Sequence, residues 1–368
     1  MNDKPVSTDP CAEVWSLWEA YADRFITDDG RVIDLTDGGH STSEGQAYGL
    51  FHALVANDRE RFDLLLTWTS DNLAGGDLAA HLPGWKWGRD VEGGWRLLDE
   101  NPASDADLWL AYTLIEAGRL WKEPRYDALG RGVAQAIAER EVVELPGAGP
   151  MLTPGPEGFA PEEGGWRLNP SYLPIQLLRG LATAHDTGPW ASIADGTVRM
   201  LRETAPHGFA ADWVTYTADA GYVPDAVSGP VGSHDAIRCY LWAGTLHPDD
   251  PHRPALDYQL SGPVRFWRRW GHAPMEVNPW TFEDSGREGS VGFLGALLPQ
   301  VTAGGDAEAS GRLRAQIEAQ SKEGLYGDPA TYYDQNLLLF GLGHADERYR
   351  FEADGTLRPW WEEKCGPR

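Results

Sequence analysis

Apolar residues recur at helical spacing along almost the whole chain. In "EVWSLWEAYADRF" (13–25), Val14, Trp15, Leu17, Trp18, Tyr21 and Phe25 fall on one broad face, the pattern of an amphipathic helix. The same period predicts helices over 43–56, 59–73, 107–121, 126–142, 171–185, 189–205, 234–246, 254–271, 290–303, 306–320 and 331–346. Extended patterns are few: 31–35 and 349–360 read as short hairpins outside the helical body. Gly- and Pro-rich loops separate the helices, and no long linker or low-complexity tract divides them. About twelve helices in one uninterrupted domain predict an all-α fold of concentric helix pairs, an inner ring and an outer ring. Such a barrel leaves its loops on two faces, one of which can form a long groove. Periodicity alone leaves an irregular helical bundle open.

Composition narrows the partner. The chain has 368 residues, 42% of them apolar, enough for a large core. Its formal charge is −25, from 56 acidic and 31 basic residues. That argues against nucleic acid, whose phosphates need clustered Lys and Arg, and suits a neutral or cationic partner. Seventeen Trp is far above the usual level of roughly 1%. Two uses remain open: filling a large core, and stacking sugar rings on indole faces. No apolar run approaches the length of about 18 residues that spans a bilayer, so no membrane insertion is expected. "MNDKPVSTDP" lacks the apolar core of a signal peptide. Residues 1–10 are expected to be a tail, the remnant of a replaced leader, and 11–368 a single catalytic domain. Cys11 and Cys365 bracket that domain, and the termini of compact domains often lie close together. A Cys11–Cys365 disulfide would suit an oxidising compartment, with Cys239 left as a buried thiol.

Three predicted helix entrances carry acids. In "HSTSEGQAYGLF", Ser41, Thr42 or Ser43 can cap the helix and Glu44 sits in its first turn. In "NPASDADLWLAY", Ser104 or Asp105 can cap, with Asp107 following. Residues two apart do not face the same way on a helix, so Asp105 and Asp107 are expected to serve different tasks. In "GPVGSHDAIRCYLWAG", Ser233 or Asp235 can cap, and Arg238 lies within reach of Asp235 at i,i+3. Each acid taken alone suits a dipole-complementing structural role as well as a chemical one. Three together on converging entrances suit glycosidic hydrolysis, which uses two carboxylates flanking the bond. Aromatic loops accompany them: Trp85 and Trp87, Trp166 and Tyr172, Trp213, Tyr332 and Tyr333 interrupt the helical period and are expected to stack sugars. No CxxC pair or HExxH predicts a metal, no GxSxG elbow a serine nucleophile, and no phosphate-binding Gly loop a nucleotide cofactor.

The residues resemble glycoside hydrolase family 8. "ASDADLWLAYTLIEAGRLW" (103–121) follows that family's signature, with Leu110 and Thr113 as small departures. "TSEGQAYGLF" (42–51), "LNPSYLP" (168–174), "DWV" (212–214) and "DAIRCYLWAG" (235–244) resemble its cellulose-operon branch. The resemblance runs from about Cys11 to Cys365. It implies an (α/α)6 barrel and an inverting endo-β-1,4-glucanase acting on cellulose chains, with no cofactor. Glu44 then falls at the general acid, Asp235 at the base, and Asp105 at a residue holding the distorted sugar. Asn169, Asp212 and Arg238 fall among the substrate-binding positions. The resemblance also implies a periplasmic or secreted enzyme accessory to the cellulose synthase export machinery. Xylan, mixed-linkage β-glucan and chitosan remain as substrates, and a non-catalytic cellulose-binding export factor as the reading from another class. His234 stands where the family commonly has Tyr, so a pH–rate profile of its own is expected.

Overall fold

Helix pairs wind around a common axis. The computed structural model describes residues 14–160, 165–184 and 187–365. Its helices are α1 Ser16–Phe25, α2 Ser43–Ala56, α3 Arg59–Leu73, α4 Ser104–Leu120, α5 Pro124–Arg140, α6 Ile175–Ala184, α7 Trp190–Thr204, α8 Ala236–Thr245, α9 Arg253–Gln259, α10 Gly262–Trp270, α11 Val291–Ala303, α12 Ala307–Glu318, α13 Tyr332–Ala345 and α14 Trp360–Cys365. Helices α2, α4, α6, α8, α11 and α13 contact one another in that order. The ring closes where Phe51 and Tyr48 of α2 meet Phe340 of α13. Inner helices such as α4, α8 and α13 are buried nearly all round, whereas outer helices such as α3 and α12 bury one stripe. The outer helices pack on their inner neighbours, completing an (α/α)6 barrel.

The barrel axis is plugged by aromatic rings. Phe51, Trp109, Trp242 and Phe340 come from four inner helices, with centroids 4.8–5.4 Å apart. Such pairs each add about 0.5–1.5 kcal/mol beyond area burial. Nine of the seventeen Trp are buried, so the Trp excess is in large part core. Close approach also matters: a Cβ on Gly341 would stand 2.0 Å from the Gly295 carbonyl, so α11 and α13 can touch only through glycine.

Two expected helix boundaries moved at a proline. The helix expected over 254–271 is two, α9 and α10, parted at Leu260 and Ser261 just before Pro263. The helix expected over 171–185 begins as a short 3-10 turn, Pro170–Tyr172, and α6 starts only after Pro174. At 31–35 there are isolated bridges, Ile26 with Val32 and Asp34 with His40, instead of a hairpin. The region 349–360 does contain a hairpin, Tyr349–Phe351 with Leu357–Pro359. Two three-stranded sheets carry no strand signal in the sequence, because their strands are short or irregular in register. One pairs Ser41–Thr42, Gly84–Arg89 and Trp95–Pro102; it joins the entrances of α2 and α4. The other pairs Trp166–Leu168, Val214–Thr217 and Gly221–Pro224, just ahead of α6 and α8. Cys239 is a free buried thiol and Cys365 is disulfide-bonded. The pairing expected with Cys11 lies outside the described residues, as does the tail at 1–10. Among the described residues no helix is long and apolar enough to cross a membrane.

Candidate active site

Glu44 is presented by an ordinary cap. Thr42 precedes α2 and its hydroxyl accepts the Gly45 amide at 3.2 Å, which fixes the first turn. One Glu44 oxygen accepts the Trp85 indole N–H at 3.2 Å; the other is buried with no hydrogen-bonded side-chain or backbone donor among the described residues. Burial raises the Glu44 pKa, against the pull of its own backbone amide, Arg238 and Trp85; the Asp235 charge adds to the rise. Tyr332 props this turn from behind. Its hydroxyl lies where a Cβ on residue 45 would stand 2.8 Å away, so Gly45 is required beside the acid.

The other two entrances lack the caps expected from sequence. Helix α4 begins without a side-chain cap, and the backbone amide that Asp105 accepts is that of the adjacent Ala106, at 2.8 Å. Neither Ser233 nor Asp235 caps α8. Asp212, from the loop before Val214, does so from a distance: it accepts the Ser233 and Ala236 amides at 2.7 Å and the Ser233 hydroxyl at 2.6 Å. Asp235 is thereby released from capping. It pairs with Arg238 at 2.8 Å, with about a third of its side chain exposed.

Arg238 is the hub. It is buried and donates to Asp105 at 3.3 Å, Tyr48 at 3.3 Å, Ser171 at 2.9 Å and Asp235 at 2.8 Å. Its guanidinium also lies over the Tyr172 ring at 5.4 Å. Burial and the nearby Glu44 raise the pKa of Asp105, opposed by Arg238. Asn169 accepts the Ser171 amide and hydroxyl, so it holds the residue that holds Arg238. Ser171 and Tyr48 were not singled out as site residues. Tyr48 had a signal, standing four positions after Glu44 on the same helix face.

The aromatic residues divide. Trp85, Tyr172 and Trp213 line a cavity of about 260 Å³ together with Phe159, Arg167 and Asn101. Trp213 stacks beside Phe159 and carries Arg167 over its face at 4.0 Å; Asp225 holds Arg167 from the other side at 3.1 Å. Trp87 is elsewhere. A break in register at Lys86 turns it away from Trp85 and into a stack with Trp95, edge-on to Trp68. Trp166 packs on Tyr216 against the core, and Tyr332 is buried. Tyr333 donates its hydroxyl to the His234 carbonyl, behind Asp235. Among the described residues no group of three or more His, Cys, Asp or Glu is arranged to hold a metal ion.

The family model "Glycosyl hydrolases family 8" matches residues 6–346. An endoglucanase of Xanthomonas axonopodis pv. citri (strain 306) is 46% identical over 94% of this chain and 89% of its own length. One from Escherichia coli (strain K12) is 42% identical over 95% of this chain and 92% of its own. Among solved structures, an endo-1,4-D-glucanase from Vibrio fischeri ES114 superposes with a TM-score of 0.87 at 38% identity, covering 94% of this chain and 99% of that one.

Proposed function

Because the chain belongs to glycoside hydrolase family 8, a family of inverting enzymes, we propose that it is an endo-β-1,4-glucanase that cuts internal bonds of cellulose chains. One observation carries the reading: two carboxyls on inner helices that face each other across the barrel differ in their nearest charge. Glu44 is half-buried with one oxygen out of reach of solvent, and desolvation raises its pKa, which favours holding a proton for the leaving oxygen. Asp235 is partly open to solvent and paired with a cation, the setting for a base that draws a proton from water. Water attacks the anomeric carbon on the face opposite the leaving group, and Asp235 takes the water's proton. The configuration inverts, which calls for a carboxyl separation of roughly 6.5–9.5 Å to admit the water. Asp105 keeps Arg238 in register and offers its remaining lone pairs to the sugar at the scissile bond.

Trp85, Tyr172 and Trp213 supply flat walls suited to pyranose faces. The names of the relatives, endoglucanase and endo-1,4-D-glucanase, favour β-1,4-glucan over xylan, mixed-linkage glucan or chitosan. Work beside a cellulose synthase export complex, in the periplasm or outside the cell, rests on the motifs of the cellulose-operon branch. The test is release of reducing ends from carboxymethylcellulose, xylan, mixed-linkage glucan and chitosan, with Glu44→Gln alongside. Release is expected chiefly from the cellulose derivative, as the α-anomer by NMR, with a loss of about 10²–10⁴-fold in the variant. Binding without release from any polymer would favour a carrier; release unaffected by Glu44→Gln would remove the proposed acid.

A further inference from the structure

Asp107 faces away from the groove. It stands two residues after Asp105 in the first turn of α4 and is fully buried. Glu141, just beyond α5, is buried to the same degree. The two side chains meet at hydrogen-bonding range. Among the described residues, no N–H or O–H reaches any of their four oxygens. Both backbones are fixed: the Asp107 amide bonds the Ala103 carbonyl at 3.1 Å, and Thr153 gives its amide and hydroxyl to the Glu141 carbonyl at 2.8 Å each. The charged groups facing the pair are Asp105 of α4, Glu44 of α2 and Arg140 of α5. None of them hydrogen-bonds it. Two bare carboxylates in dry contact would repel strongly and go unsolvated; a proton between them relieves both penalties.

We propose that Asp107 and Glu141 share one proton and form a positioning pair, clasping the entrance of α4 to the outer helix α5 so that Asp105 stays seated on Arg238. Burial and like charge push both groups up, Glu141 to about 8. The sign follows. A carboxyl whose folded pKa is raised from 4.5 to about 8 adds stability that is complete below pH 4.5 and is lost as pH rises through 8. Glu141 ionises first, with the proton held on Asp107; when that shared proton also leaves at higher pH, the clasp opens and Asp105 shifts against Arg238 while the barrel stays folded.

The inference rests on the role proposed for Asp105, and its test separates the two. The full chain and the variants Glu141→Gln, Asp107→Asn and Glu141→Ala are assayed on carboxymethylcellulose from about pH 5 to 9.5, with a thermal melt at each pH. The wild type should lose kcat reversibly on the alkaline side with KM nearly constant. Glu141→Gln brings its own N–H donor, so it should move that limb upward by about one pH unit and flatten the fall in Tm between about pH 5 and 8. Glu141→Ala should lose about tenfold in kcat, and Glu141→Gln should recover most of it. A wild-type alkaline limb in Glu141→Gln, or an unchanged slope of Tm with pH, overturns the proposal. If Glu141→Ala does not fold, the two amide variants carry the test, since they keep the volume of the pair. A wild type without activity on any polymer refutes the glucanase reading and leaves the melts to decide whether the proton is shared.

Discussion

The entrances of α2 and α8 each present one carboxylate, and they are built in opposite ways. At α2 the cap is local: Thr42 holds the first turn, and Glu44 is left with one indole donor and one buried, unpartnered oxygen. At α8 the cap comes from a distant loop through Asp212, and Asp235 is turned to Arg238 at the groove edge. Residue type and helix position are nearly the same. What differs is the nearest charge: Asp235 has Arg238 at 2.8 Å, whereas Glu44 has only the Trp85 indole, and the proposed base and acid roles rest on that contrast.

The comparison can be broken most severely at Arg238, the group both entrances share. Arg238→Met should abolish measurable hydrolysis and cost about 3–5 kcal/mol of stability, since Asp105 is left as a buried unpaired charge. Urea unfolding together with the reducing-end assay reads both effects. Next comes the distant cap. Asp212→Ala leaves the Ser233 and Ala236 amides without their acceptor and should cost about 1–3 kcal/mol, with kcat falling more than KM rises as Asp235 loosens. The same change at the local cap, Thr42→Ala, should cost about 1 kcal/mol and leave α8 untouched.

A smaller effect sharpens the acid side alone. The Trp85 N–H stabilises ionised Glu44, so Trp85→Phe should raise the Glu44 pKa and move the alkaline limb of kcat/KM to higher pH. A shift to lower pH would contradict this reading of the environment of Glu44. The smallest change is expected at His234. Its ring is exposed, edge-on to Phe293, and its carbonyl accepts the Tyr333 hydroxyl, a contact that survives any side chain. His234→Tyr should therefore keep activity and shift the pH–rate profile only modestly; an unchanged profile would remove the imidazole from the proton chemistry.

Much of the barrel was legible because its helices are long apolar-rich stretches set between Gly and Pro breaks: α2 and α3 fall on the expected bounds and α13 within one residue of them. The small sheets were not, because two- to eight-residue strands at a barrel rim bury no continuous face. Trp85 and Trp87 read alike in "GWKWGR", yet a break in register sends one to Glu44 and the other into a stack with Trp95. Asp105 and Asp107 were separable by spacing alone, since two steps along a helix turn the side chain by about 200°. That Asp107 would meet Glu141 was not legible, because they come from different helices of the two rings.

The chain alone marks most of the helices, the acids at three of their entrances and the aromatic loops near them; the ring was one of two arrangements it allowed. Those are local matters: hydrophobic period, first-turn chemistry and breaks in the pattern. Packing settles which Trp lines the cavity, that Asp212 serves as a cap, and that Arg238 joins Asp105 to Asp235 while Glu44 has no ion pair among the described residues. Burial and hydrogen-bond partners far apart in sequence set a carboxyl's charge, and they exist only once the helices have closed into a barrel.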